Sequence, residues 1–568
     1  MAARPVRTDS RRLTGPSRLL SRAGAVIEVT FPDRDGNRLI AGWRHHLHRM
    51  LEALGWTAEL GELCWPGGAS LAFTAPLDAL YSATEVNEWA WDAAVADAGG
   101  EAEPAFDPAI AAIREHLAQE RNPGLLALRD AARTHGVACL SDNRTASVGL
   151  GSGSRSWPVA DLPQPAQVPW AEVHNVPTVL ITGSNGKTTT VRLLAALVEA
   201  AGRVPGYTST DGVRAGGETL ASGDYAGSEG ARLLLRDRRV ETAILETARG
   251  GILRRGLPVE CADVAVVTNI AEDHIGEFGV FDCAGLADVK LVVARAVPSS
   301  GRVVLNAEDP WLADRADAAG LAAPIVWFAL DPSHPRVRAH VADGGQACVL
   351  QDGAFVLLGG TRRDTVAPVD ALPITFGGAA RHNVANALAA IAAAAALGLP
   401  TGAIARGLAG FAGSARDNPG RANLFDIGGV RVVVDFAHNP HGMAALGDLA
   451  RALRGSGRVL VALGQAGDRD DASIRELARA AHALAPDHVI VKEMDKYRRG
   501  RAPGEVPALI VDELRRLGLP AESISTAPDD MGALRLALRW GRPGDLLLVT
   551  IHVDQQPALE LLGSLTPS

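Results

Sequence analysis

With 568 residues, 47% of them hydrophobic, and a formal net charge of −9, the chain is long enough for roughly three to four domains with sizeable cores. No apolar run suffices to span a bilayer, and an acidic balance without blocks of like charge excludes the basic face that general nucleic-acid binding needs. The cysteines, Cys64, Cys139, Cys261, Cys283 and Cys348, are scattered with no C-x-x-C pair, which predicts neither a disulfide framework nor a zinc site and points to a cytoplasmic setting.

Residues 1–22 are rich in Arg and Ser but lack a hydrophobic signal core, and they read as a short arm leading into a strand over 25–30. A helix is predicted over 42–54. It carries His45, His46 and His48 without the carboxylate or cysteine support a metal site wants. Residues 108–135 read as largely helical and 136–140 as a strand. The first 160 residues are therefore assigned to an α+β domain without a visible catalytic constellation. A linker follows from Ser152 to Trp170, marked by Pro158, Pro163, Pro165 and Pro169.

The stretch from Thr178 to Thr190 organises what comes next. A short apolar run reads as a buried strand, Gly183-Ser-Asn-Gly-Lys-Thr188 as a glycine-rich turn, and Val191, Leu194, Ala195 and Val198 recur at helical spacing up to Gly202. Strand, glycine turn and helix together form the context of a phosphate-binding loop. Backbone N–H groups and a helix N-terminus attract anionic phosphate. Gly183, Ser184, Asn185, Gly186, Lys187, Thr188 and Thr189 are thus nucleotide-contact candidates, with Lys187 on the terminal phosphates and the Thr188 hydroxyl on Mg²⁺. The loop is shorter than the common formula, which has glycine where Ile181 stands.

Strand-helix alternation continues through residue 416. A predicted strand ends in Glu246, and another, over 263–268, is followed by Asn269-Ile-Ala-Glu-Asp-His274. Ligands of open α/β sheets gather at the carboxyl ends of strands, which puts Glu246 and His274 beside the phosphate loop. Further strands are expected over 302–305 and 325–328, a small hairpin subregion over 336–375, and a long Ala-rich helix opening at His382. A second α/β unit is assigned to residues 417–568. Its hairpin over 424–435 turns at Gly428-Gly429, and strands are expected over 459–463, 488–492 and 546–551. Its polar strand ends are Asp435-Phe-Ala-His-Asn-Pro440 and Gly464-Gln-Ala-Gly-Asp-Arg-Asp470. Lysine occurs only at 187, 290, 492 and 496, in a chain that otherwise takes its positive charge from arginine. Such lysines mark places where a compact or deprotonatable amine is needed.

These residues in order resemble the Mur ligase family of ATP-dependent amide ligases: G-x-x-G-K-T-T at the loop, N-I-x-x-D-H at 269–274, H-N-x-x-N at 382–386, G-R at 420–421, D-x-A-H-N-P at 435–440 and G-D-R-D at 467–470. Within it, the segments Glu246–Arg254, Asn418–Phe425, Arg11–Pro16 and 136–150 resemble the ligase part and N-terminal domain of cyanophycin synthetases. Those enzymes carry an ATP-grasp domain between the two parts, where this chain has only the proline linker. The resemblance implies a central P-loop parallel-sheet ATPase domain over 170–416 and a Rossmann-like C-terminal domain over 417–568.

It also implies acyl-phosphate chemistry with ATP and Mg²⁺, joining a peptide-like carboxylate to an amino acid or other amine. Thr188, Glu246 and His274 would hold metal, and Lys187 would stabilise the transferring phosphoryl group. Lys290 would be carbamoylated, the alternative being a surface lysine at a helix turn. Asn383 and Asn386 would face adenine, and Arg421 and Asp435 would touch phosphate and ribose; the alternative for that pair is a hairpin salt bridge. Arg249, His438, Asn439, Glu493 and Asp495 are substrate candidates, with a capped turn before Pro440 as the alternative for His438 and Asn439 and a solvated charged loop for the last two. Rival readings are a folylpolyglutamate-synthase-like ligase and a non-catalytic subunit serving a separate ATP-grasp partner. The sequence leaves a homo-oligomer open.

Overall fold

The run Thr178–Thr182, β-branched except for Leu180, is buried throughout and lies inside an eleven-stranded sheet. The computed structural model describes residues 4–272 and 275–566. In sheet order the strands are Glu218–Ser222, Gly212–Ala215, Pro205–Ser209, Thr242–Glu246, Thr178–Thr182, Val264–Val267, Arg302–Asn306, Ile325–Ala329, Gln346–Gln351, Ala354–Gly359 and Arg362–Pro368. From Pro205–Ser209 to Gln346–Gln351 the pairings are parallel, and each edge ends in antiparallel strands. The 346–368 region is thus the far edge of the main sheet and not a separate hairpin subregion. Phe355 and Val366 join the same apolar core as Val179 and Ile181, which draws the hairpin in.

Register sets the site. Glu246 pairs with Ile181, and Val267 with Thr182, so the ends of three neighbouring strands lie level with the start of the glycine loop. Helix Lys187–Ala200 leaves that loop and packs against helices Arg381–Ala396 and Thr401–Gly410. The alanine run of Arg381–Ala396 permits this close approach and is almost wholly buried.

The C-terminal sheet has the order Asn423–Ile427, Val430–Asp435, Leu546–Thr550, Val459–Leu463, His488–Lys492 and Ile524–Ala527, parallel except for the first hairpin. Asp435 and Thr550 pair at one end of it, so the polar strand ends sit together.

The N-terminal sheet is antiparallel: Val6–Leu13, Gly24–Thr30, Gly68–Thr74 and Leu60–Trp65, with helices Gly36–Leu54 and Leu80–Gly99 packed together over it. Three sequence expectations are corrected here. Within the 1–22 arm, Val6–Leu13 is a strand; its polar composition hid it, because main-chain pairing with Gly24–Thr30 and not apolar alternation holds it. Within the 152–170 linker, Arg155–Pro158 pairs in a three-stranded sheet with Thr145–Val148 and Cys139–Ser141, and Val168 is buried against it. The strand expected over 136–140 begins only at Cys139, after the left-handed Gly136. No helix among the described residues is long and apolar enough to cross a membrane.

Candidate active site

The glycine loop opens into a cavity of about 880 Å³ between the large sheet and the C-terminal unit. Gly186 has φ +84°, and a Cβ there would lie 2.1 Å from Asn386 Oδ1, so glycine is required for both conformation and space. Lys187 Nζ donates to the carbonyls of Gly183 at 2.9 Å and Ser184 at 3.1 Å, folding its ammonium over the loop mouth. The loop is pinned beneath by Asn269, whose Oδ1 accepts from Asn185 N at 2.9 Å, and by Thr268, whose hydroxyl donates to Asn185 O at 2.6 Å.

Thr188 Oγ1 donates to Glu246 Oε2 at 2.9 Å. The other carboxylate oxygen, Oε1, is buried without a hydrogen-bond partner among the described residues. Burial pushes the Glu246 carboxyl above its ordinary 4.5, with the Lys187 ammonium and the Thr188 hydrogen bond pulling the other way. A buried carboxylate oxygen without a donor, beside a threonine hydroxyl, is a hard-oxygen pair that suits a divalent cation. His274, the other sequence-predicted metal ligand, lies outside the described residues.

Lys290 ends helix Cys283–Lys290, is 3% exposed and lines the cavity, so it is not a surface lysine. Arg249, also buried, donates from Nη1 to Glu277 Oε2 and from Nη2 to Glu277 O, both at 3.1 Å, and both residues line the cavity. Asn383 and Asn386 line it too. Asn386 Nδ2 donates to Asn383 Oδ1 at 3.3 Å, and Asn383 Nδ2 to Ile374 O at 3.0 Å.

From the C-terminal unit come Arg421, Asp435 and His438. Arg421 stacks over the Phe436 ring at 4.2 Å, while Asp435 accepts from the N–H groups of Ala422 and Ala437. The hairpin salt bridge between Arg421 and Asp435 is not formed. Asn439 serves two purposes: Oδ1 caps helix Pro440–Leu453 by accepting from Gly442 N at 2.8 Å, and Nδ2 donates to Asn185 Oδ1 at 3.0 Å. Glu493 and Asp495 are not brought to the cavity. Glu493 accepts from the backbone of Met494 and Gly504, and Asp495 pairs with Arg498.

Residues 181–394 match the Mur ligase middle domain, and residues 420–550 match the Mur ligase glutamate ligase domain. These two stretches thus match, in chain order, the middle and C-terminal domain models of Mur ligases. The cyanophycin synthetase of Synechocystis is 41% identical over 324 residues, covering 57% of this chain and 36% of that protein. The UDP-N-acetylmuramoyl-L-alanyl-D-glutamate–2,6-diaminopimelate ligase of Geobacter metallireducens is 32% identical over 307 residues, 52% of this chain and 56% of the relative. The solved structure of E. coli FolC in complex with ADP shares the fold at 22% identity and a TM-score of 0.50, covering 68% of this chain and 89% of that one. This chain spans about a third of the length of the cyanophycin synthetases it matches.

Several residues at or beside the cavity escaped the sequence reading. His441, in the first turn of helix Pro440–Leu453, meets Asn185 Nδ2 through Nδ1 at 3.0 Å. Asn418 Nδ2 donates to Thr189 Oγ1 at 3.3 Å. The tight H-N-P-H spacing at 438–441 was the available signal for His441; for Glu277 there was none, because its role depends on a loop folding back onto Arg249.

Proposed function

We propose that the chain is an ATP-dependent carboxylate–amine ligase working through an acyl phosphate. The observation that carries this reading is the convergence, in one cavity, of the loop lysine, the Thr188–Glu246 oxygen pair and residues from a second domain. Backbone N–H groups of 183–189 and the start of helix Lys187–Ala200 would hold the phosphates of ATP. Glu246 and Thr188 would hold Mg²⁺, which when bound supplies charge neutralisation on the phosphates. Lys187, released from the carbonyls of Gly183 and Ser184, would follow the γ-phosphoryl group as it passes to the substrate carboxylate. The bond from the γ-phosphorus to the bridging oxygen breaks with release of ADP. The amine nitrogen then attacks the acyl carbon, phosphate leaves, and the nitrogen loses its proton.

Arg249, ion-paired with Glu277, and Lys290 line the middle-domain side of the cavity, where the acid substrate would sit. Asn383 and Asn386 stand by the loop for the adenosine half, and Arg421 and Asp435 reach it across the domain boundary. With Glu493 and Asp495 engaged elsewhere, the C-terminal unit turns Asp448, Asp468 and Arg499 toward the cavity with His438. That mixture of signs fits a zwitterionic amino acid as the amine. Closure over the site keeps water from the acyl phosphate.

The test is phosphate release from ATP-Mg²⁺ across a matrix of amino acids and Asp- or Glu-containing peptides, with mass spectrometry of the products. Release requiring both an acid and an amine, with a new amide mass, supports the ligase. ATP binding without release across the matrix favours a subunit dependent on an ATP-grasp partner, and adding such a partner would restore turnover.

A further inference from the structure

Three charged residues of the cavity, Arg249, Glu277 and Lys290, sit on short elements that the large sheet alone does not hold. Helix Arg249–Arg255 is seven residues long. Glu277 lies in a loop, and Lys290 is the last residue of helix Cys283–Lys290. All three elements are gripped by the segment 11–18 of the N-terminal sheet.

On the first element, Arg11 Nε donates to Leu253 O at 3.2 Å, Thr14 N donates to Arg255 O at 2.7 Å, and Leu257 N donates to Pro16 O at 2.6 Å. The two backbones pass at contact because glycine stands on both sides. A Cβ on Gly15 would lie 2.2 Å from Leu257 O, and one on Gly256 would lie 2.4 Å from Gly15 O. On the second element, the Arg11 guanidinium stacks on Phe278 at 4.6 Å from the ring centroid, and Phe278 takes the left-handed φ of +53°. Next to it, Gly279 lies so close to Trp65 that a Cβ would fall 2.6 Å from the indole. On the third, Arg18 Nη2 pairs with Asp288 Oδ2 at 3.3 Å, two residues before Lys290.

Arg11 is itself fixed from behind. Its side chain is buried, and Nη1 and Nη2 are taken by Asp9 at 2.6 Å and Glu28 at 2.7 Å. Glu28 in turn accepts from Ser70 Oγ at 2.6 Å. A fully braced guanidinium that still aims Nε and its flat face outward is built to fix what it touches, because its rotamer is already locked.

We propose that residues 11–18 act as a positioning clamp for the acid-substrate side of the cavity, with Arg11 and Arg18 as its positioning residues. The functional half of this proposal rests on the ligase reading above. The clamp sets Arg249, Glu277 and Lys290 relative to the acid and leaves the phosphate loop to its own supports at Thr268 and Asn269.

The experiment compares the full chain with Arg11→Ala, Arg18→Ala and Gly15→Val by hydrogen–deuterium exchange and by steady-state kinetics. The expected result is faster exchange in peptides spanning 249–257 and 275–290, with peptides spanning 178–200 unchanged. In turnover, KM for the acid should rise by about tenfold or more while KM for ATP moves less than about twofold, because small misplacements of a substrate-orienting group are costly. Arg18→Ala removes one part-buried pair at the edge of the N-terminal sheet, so it keeps the test interpretable should Arg11→Ala unfold that sheet. Unchanged exchange in both peptides overturns the clamp, and so does faster exchange with equal shifts in both KM values. The exchange readout needs no turnover. An unsubstituted protein without ligase activity would therefore defeat the ligase reading while exchange alone still decided the clamp.

Discussion

The side-chain amide of Asn439 donates to Oδ1 of Asn185 at 3.0 Å, tying the N-cap of helix Pro440–Leu453 to the tip of the glycine loop. Asn185 is held on its other faces by Asn269, Thr268 and His441, so movement of the C-terminal unit is coupled to the loop that would grip ATP.

Asn439→Asp separates the two tasks of this residue. The carboxylate keeps the oxygen that caps Gly442 N but replaces the donor facing Asn185 with a second acceptor. The expected result is a near-unchanged melting temperature with kcat/KM for ATP down by about tenfold, about 1.4 kcal/mol of lost interaction. Asn439→Ala loses the cap as well and should cost about 1 kcal/mol of stability on top. Thermal melts and nucleotide titration of turnover in parallel check both.

Lys187→Met should leave the circular dichroism spectrum unchanged and lower turnover by on the order of a thousandfold, in the range seen when a transition-state charge contact is removed. Normal phosphate release by that variant would sink the proposed mechanism.

Gly186→Ala should abolish nucleotide binding without unfolding the protein. A methyl at φ +84° is strained, and it would fall 2.1 Å from Asn386 Oδ1. Calorimetric titration with a non-hydrolysable ATP analogue reads this directly, and an unchanged dissociation constant would contradict the geometry of the loop.

Lys492 and Asp530 form a buried ion pair under the strand ends of the C-terminal sheet, with Lys492 also donating to Thr550 O. Asp530 Oδ2 accepts from the N–H groups of His552, Val553 and Asp554. Burial pushes the Asp530 carboxyl up, but the Lys492 ammonium and the hydrogen bonds outweigh it and hold it at about 2, below its ordinary 3.8. A depressed carboxylate contributes stability that is present above its unfolded value and lost on acidification, here about 2 kcal/mol disappearing as the pH falls from 3.8 through about 2. Lys492→Met should destabilise the protein by about 3–5 kcal/mol at neutral pH, since an uncompensated charge stays buried, and should reverse the sign of the acid limb. Lys492→Met/Asp530→Asn should recover most of the loss. Urea unfolding across pH 2–6 follows all three.

What was legible in the sequence was what short-range chemistry dictates. The glycine loop, its flanking strand and helix, and Glu246 at a strand end are local patterns, and the structure has them where the pattern puts them. Contacts around the cavity and its supports join residues far apart in the chain: Asn185 with Asn439 and His441, Thr189 with Asn418, Arg11 with Leu253. No periodicity encodes such pairs. The strand Val6–Leu13 was misread for a related reason, since it is polar and held by main-chain bonds. Glu493 and Asp495 show the converse: charge in a suggestive place, spent on backbone N–H groups and a neighbouring arginine.

The scarcity of lysine has a practical consequence. Lys290 and Lys492 are buried, Lys187 is folded onto its own loop, and Lys496 is the exposed lysine side chain. Amine-directed acylating dyes should therefore attach chiefly at Lys496 among the side chains, next to Tyr497 and a few residues from Arg499 at the cavity rim. Among its side chains the protein thus offers a nearly single-site optical reporter in the loop that follows strand His488–Lys492, without engineered cysteines.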